Sequence, residues 1–194
     1  MPATCTLTRW LIFPLLALLA GGNTVSVPLR YTLDARASEV AAKVPFFGLA
    51  SKTARFPKMQ GVVSIVPGAP ERALIDVTFD ATALEAPDRV TRERLRGEKF
   101  FWVAKYPDVR FVGRALKLSS PTRGTVSGEL TARGITHPQV LEVTFEEDPL
   151  ASPEKAIRFT ATTTIDRRDY GMKAYPAIVG SKVDITLKAR MVPR

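Results

Sequence analysis

Hydrophobic and polar residues alternate along most of the chain with a period of two. Ile157, Phe159, Ala161, Thr163 and Ile165 alternate with Arg158, Thr160, Thr162, Thr164 and Asp166. Val183, Ile185, Leu187, Ala189 and Met191 alternate with Lys182, Asp184, Thr186, Lys188 and Arg190. The same rhythm runs through 75–81 and 141–146. Successive side chains of a strand point to opposite faces, so this period marks strands with one buried and one wet face. Such strands fit an antiparallel sheet, because parallel strands are usually covered on both faces. The pattern predicts about eight or nine strands, near 29–34, 38–46, 54–66, 73–82, 108–118, 124–132, 139–147, 156–166 and 181–191. Turn residues separate them at Pro67-Gly68-Ala69-Pro70, Pro121-Thr122-Arg123-Gly124 and from Gly134 to Pro138, with a longer loop over 149–153. One segment, 88–97, breaks the rhythm. It opens on Asp88, carries Val90 and Leu95, and ends on Gly97, the start and stop signals of one short surface helix.

The fold class is therefore all-β. One-faced strands in this number close as a barrel or stack as a sandwich, and alternation alone does not separate the two. A barrel of about eight strands either fills its interior with side chains or encloses one small ligand.

The N-terminus reads differently from the rest. Arg9 is its only base and it has no acid. The apolar run Trp10 to Ala20 follows, then Gly21 and Gly22, in the pattern of a cleavable secretory signal. The run is interrupted by Pro14 and falls short of the ~20 residues that span a bilayer, although an uncleaved anchor is the alternative. The expected division is a signal peptide over 1–22 and one domain over 23–194, periplasmic or secreted. Cleavage would remove Cys5, the only cysteine, leaving no disulfide and no thiolate metal site. The formal net charge is +9, from 28 bases and 19 acids. Export argues against nucleic acid as the reason. An anionic membrane surface or an anionic ligand head group remains, beside simple solvation of strand faces.

Catalytic chemistry is sparse. The only histidine, His137, lies in the expected turn before Pro138. One histidine and no retained cysteine do not make the usual zinc or copper site, and no nucleophile elbow or phosphate loop is present. The expectation is a protein with no metal, no catalytic residue and no cofactor. Aromatic and apolar residues are concentrated instead. Phe46, Phe47, Leu49, Phe56 and Met59 form one cluster. Phe100, Phe101, Trp102, Tyr106 and Phe111 form a second, and Tyr170, Met172 and Tyr175 a third. Several neighbour Gly or Pro in expected loops, where a barrel admits a ligand. With Phe159 they are the candidate ligand contacts.

These segments also carry a resemblance. Leu95-Arg96-Gly97-Glu98-Lys99-Phe100-Phe101, then Tyr106-Pro107 and Phe111, resembles the YceI-like family. Tyr31-Thr32-Leu33-Asp34 resembles its opening strand. The run from Gly128 through Leu130-Thr131, Arg133-Gly134 and Thr136 to Pro138 resembles its hairpin, and Arg167-Arg168-Asp169-Tyr170-Gly171 its aromatic turn. The four lie in family order over about 31–191. The resemblance implies an extended, lipocalin-like antiparallel barrel. It also implies an apolar interior that encloses a long isoprenoid or fatty chain as a non-catalytic carrier or reservoir. The ligand would be an isoprenoid, an isoprenoid quinone or a fatty-acid-like lipid. Two alternatives are an accessory or enzyme acting on a bound isoprenoid quinone, and a dry-barrel interaction protein. The expected partners are the lipid, a transient membrane surface and a second copy covering an aromatic mouth as a homodimer.

The chain departs from the family at each of its usual histidines. Ala37 stands at one, the run Val44-Pro45-Phe46-Phe47 at another, and Arg92-Glu93-Arg94-Leu95 at a third. The expectation is a different, anionic head group, met by Arg92, Arg94 or Arg96. Arg168, in the turn nearest a mouth, is a further candidate, with a structural ion pair as its other reading.

Overall fold

The computed structural model describes residues 27–152 and 154–194, and the expected signal over 1–22 lies outside them. The alternating segments form ten strands. They are β1 (Leu29–Leu33), β2 (Glu39–Phe46), β3 (Ala50–Arg55), β4 (Met59–Val66), β5 (Ala69–Asp80), β6 (Asp108–Ser120), β7 (Arg123–Ala132), β8 (Ile135–Phe145), β9 (Ile157–Asp166) and β10 (Lys182–Pro193). All neighbours are antiparallel, in the order β1-β4-β5-β6-β7-β8-β9-β10, and β1 pairs back onto β10. The result is a closed eight-stranded barrel, which settles barrel against sandwich.

β2 and β3 extend the wall at one end. β1 and β2 share one edge of β10, with Leu33 opposite Met191 and Val40 opposite Leu187. A single 3-10 turn, Ala35–Ala37, kinks the chain between them. The expected strand 54–66 is two strands. Pro57 has no N–H for the ladder and pushes Phe56 away from regular pairing, so the chain breaks at 56–58. β3 pairs with β2 alone. Its far edge carries one bridge, between Arg55 and Glu85, and the Lys52–Asp88 ion pair at 3.0 Å. The helix α1 (Arg89–Arg96) then covers this side. Asp88 caps it by accepting from Thr91 N–H at 2.8 Å, and Gly97 ends it, as the start and stop signals predict.

The two ends of the barrel differ. At the lower end β4–β5 and β6–β7 close through two-residue turns, Pro67-Gly68 and Pro121-Thr122, while β8 and β9 are joined by a longer loop. The upper end carries the β2–β3 hairpin, the long 81–107 connection with α1, and the 167–181 loop. Between β7 and β8 the upper turn is only Arg133-Gly134, both with positive φ, the geometry that matches strand twist. A Cβ on Gly134 would lie 2.7 Å from the Tyr106 ring. Thr136, His137 and Pro138, expected in this turn, already belong to β8. His137 is half-buried, pairs across from Leu130, and sets its ring edge-on to Tyr170 at 5.2 Å.

Candidate functional site

The inward face of the alternation lines two adjoining chambers. The lower has a volume of about 110 Å³ and is walled by strand residues such as Ile65, Ala73, Leu116, Val143 and Ile157. Its few polar wall groups are Tyr31, Gln139 and Thr163, and Gln139 Nε2 donates to Thr163 Oγ1 at 2.5 Å. The upper chamber is larger, about 620 Å³. Val40, Phe79, Leu130 and Ile185 line both, so they form the waist between them. The inward residues of β2, Val40, Ala42, Val44 and Phe46, climb from that waist to the mouth.

Not all the aromatic candidates meet here. Phe46, Phe47, Phe56, Phe100, Phe101, Met172 and Tyr175 line the upper chamber. Phe101 packs edge-on to Phe56 at 5.6 Å, and Phe100 stacks on Tyr175 at 6.2 Å. Phe111 and Phe159 line the lower chamber. Five others lie elsewhere. Leu49 is at the tip of the β2–β3 hairpin and wholly exposed. Met59 is buried opposite Phe79 at the start of β4, in core packing off the chamber wall. Trp102 and Tyr106 pack on each other at 5.8 Å, with Lys105 Nζ 4.6 Å above the indole. Tyr170 is buried against His137, and burial, with Asp169 nearby, pushes its hydroxyl up to about 12.

The arginine candidates divide as well. Arg94 lines the upper chamber, 5.9 Å from the Tyr175 ring. Arg92 and Arg96 do not line it; Arg96 instead reaches Leu84 O at 3.5 Å. Arg168 is an ion-pair residue. Its Nε and Nη2 donate to Asp166 at 3.0 and 2.6 Å, and this pairing holds the Asp166 carboxyl below the usual carboxylate range. The neighbouring Arg167 occupies the chamber wall instead. It is 3% exposed. Its Nε donates to Gly180 O and its Nη2 to Val179 O, both at 2.8 Å, and its Nη1 to Met172 O. Burial lowers its pKa, but a guanidinium keeps its charge in a protein.

The sequence reading also missed Lys52 and Asp88 on the upper wall. Asp88 accepts from Lys52 Nζ at 3.0 Å and from the Thr91 N–H and hydroxyl at 2.8 Å, and its carboxyl sits well below its ordinary value. The N-cap pattern already pointed to Asp88 as the acceptor of the Thr91 N–H. Among the described residues no group of three or more His, Cys, Asp or Glu side chains is placed to hold a metal ion.

Known proteins share this architecture. The chain is 26% identical over 179 residues to a UPF0312 protein of Pseudomonas putida, covering 91% of this chain and 92% of that one. A UPF0312 protein of Pseudomonas syringae pv. tomato is 26% identical over 174 residues, covering 88% and 89%. Among solved structures, Burkholderia cenocepacia BcnA superposes with a TM-score of 0.73 at 20% identity, over 81% of this chain and 98% of that one. A polyisoprenoid binding domain from Saccharophagus degradans does so with a TM-score of 0.66 at 16% identity, over 86% and 99%. The match to the YceI-like domain covers residues 31–191, from the first barrel strand into the last, and the chain belongs to that family.

Proposed function

We propose that this protein is an exported, non-catalytic carrier or reservoir that encloses one long isoprenoid or fatty chain. The observation that supports this reading is the pair of adjoining, largely apolar chambers inside a closed barrel. The upper one falls within the ~300–1,000 Å³ of small-molecule sites. A barrel plugged by its own side chains would have no such space. Each CH₂ moved from water into these walls gains ~0.8 kcal/mol, so a long chain is held without any chemical step. The family and the polyisoprenoid-binding neighbour support the same ligand class.

The mouth fits exchange with a membrane. Phe47 is 63% exposed and Leu49 100%, with Val90 and Tyr175 beside them on the rim. Arg94 and Lys99 lie 5.9 and 5.5 Å from the Tyr175 ring. Exposed apolar tips ringed by cations suit an anionic bilayer surface.

Protein purified from its own host is expected to yield an organic-extractable long-chain lipid by mass spectrometry. Val44→Trp, which fills the upper chamber from β2, should lower lipid occupancy about tenfold or more. Lipid-free protein that also fails to take up added long-chain lipid would sink this reading.

A further inference from the structure

The eight-strand ladder is not equally deep on every side. β7 pairs with β8 from Arg123 opposite Thr144 to Ala132 opposite Ile135, and β9 with β10 from Ile157 opposite Met191 to Asp166 opposite Lys182. Between β8 and β9 the register runs only from Phe145 opposite Phe159 to Glu142 opposite Thr162. Both strands continue upward, β8 to Ile135 and β9 to Asp166, with no further paired residues. The sequence supplies a reason. Glu146 N–H donates to Arg158 O, so the even-numbered residues of β8 turn their backbone toward β9. Pro138 falls on that parity and has no N–H to give.

Side chains replace the missing rungs. Extending the register would set Val140 opposite Thr164. Instead Val140 O accepts from Thr163 Oγ1 at 2.9 Å, and Thr164 O accepts from Gln139 Nε2 at 3.4 Å. Gln139 Nε2 also donates to Thr163 Oγ1 at 2.5 Å. Higher up, His137 Nε2 lies 3.2 Å from Asp169 O. Gln139 and Thr163 line the lower chamber and not the upper. Thr163 pairs across from Ile185, a residue of the waist, so the slit starts where the closed ladder below it ends. These side chains therefore bar a slit in the barrel wall, and Val140, 52% exposed, gives it an apolar outer lip.

The kind of closure decides what the slit can do. Apolar side chains closing a wall part only by wetting, at ~25 cal/mol per Å². A bar of side-chain hydrogen bonds exchanges protein partners for water as it opens, so each bond costs only ~0.5–1.5 kcal/mol net. Three such bonds put opening within a few kcal/mol, the range of a minor state that a protein still visits.

We infer that the slit between β8 and β9 is a lateral port to the lower chamber, barred by Gln139 and Thr163, through which the hydrocarbon tail of the ligand enters and leaves sideways. This rests on the reading of the barrel as a long-chain lipid site. It assigns exchange of that lipid to a different wall from the mouth.

The full chain carrying Cys5→Ser has no thiol, so Val140→Cys with Thr164→Cys can be bridged across the slit by a short bis-maleimide. The same linker across the intact β7–β8 ladder, at Thr125→Cys with Glu142→Cys, is the control. Stopped-flow fluorescence follows two probes, cis-parinaric acid as a straight-chain fatty acid and retinol as an isoprenoid. Bridging the slit should slow association and dissociation alike, each about tenfold, and leave Kd unchanged, because closing one route raises the same barrier in both directions. The control bridge should leave both rates as they were. Gln139→Ala, which removes the bar, should speed both severalfold. The bridge is made on folded protein, so it decides even where Gln139→Ala does not fold. Equal rates with and without the slit bridge would overturn the port and leave the lipid-site reading standing. So would slower dissociation alone, which is tighter binding and not a closed route. If neither probe binds the unbridged protein, the lipid-site reading falls and the port with it.

Discussion

The lower and upper halves of the barrel share strands but not construction. Below the waist, ladders surround the lumen on all sides, two of the turns are only two residues long, and the wall side chains are apolar or bonded to each other. Above it, most of the wall is a side hairpin, a helix and two loops, and cations face the cavity. The lower half is a core with a small void; the upper half is a vessel. The difference teaches that one hydrophobic pattern can build two things, a packed core where the ladder closes and an open cavity where it does not.

Four substitutions bear on that division. Phe111 in the lower wall is 6% exposed and packs so tightly that a Cβ on Gly128 would lie 2.6 Å from its Cζ. Phe111→Ala should cost about 3–5 kcal/mol in urea denaturation. Phe101→Ala, beside the open chamber, should cost under about 2 kcal/mol and weaken lipid uptake instead. Equal losses of stability would erase the contrast. At the rim, Leu49→Asp should leave stability within ~0.5 kcal/mol. It should reduce co-sedimentation with vesicles containing phosphatidylglycerol about tenfold, the loss expected for ~1.5 kcal/mol of leucine burial. Unchanged sedimentation, or loss of a dimer by light scattering in its place, would reassign the rim to protein contacts. The smallest effect concerns Asp166, whose folded pKa is depressed mainly by Arg168. A depressed carboxylate contributes stability above its unfolded value of about 3.9 and loses it as pH falls through the folded value. Asp166→Asn should thus lower Tm slightly at pH 7, and the gap to the unsubstituted protein should shrink below about pH 4. A gap that stays constant down to pH 2 would point to geometry rather than charge.

The strands were legible because alternation reports which face a residue occupies. It does not report height along the barrel, so Phe46 and Phe111 read alike from sequence but line different chambers. The break at Pro57 was written in the chain, yet the apolar residues on both sides concealed it. In loops there is no parity to follow, which is why Trp102 and Tyr106, expected at the ligand, pair outside it. Arg167 shows the opposite lesson. The inward residues of β9 are odd-numbered, Ile157 to Ile165, and carrying that parity two residues further puts Arg167 inside and Arg168 outside. Reading the turn as a loop singles out Arg168, because a loop carries no parity, while the strand's geometry still runs through Arg167.

The far edge of β3 has a mechanical consequence. A closed ladder fixes a circumference, since widening it breaks a row of backbone hydrogen bonds at once. β3 is held on that side by the Arg55–Glu85 bridge and the Lys52–Asp88 pair. The upper half is therefore a seam rather than a ring: parting it breaks one bridge and one ion pair, where parting the eight-strand ladder beneath breaks a whole row of backbone hydrogen bonds.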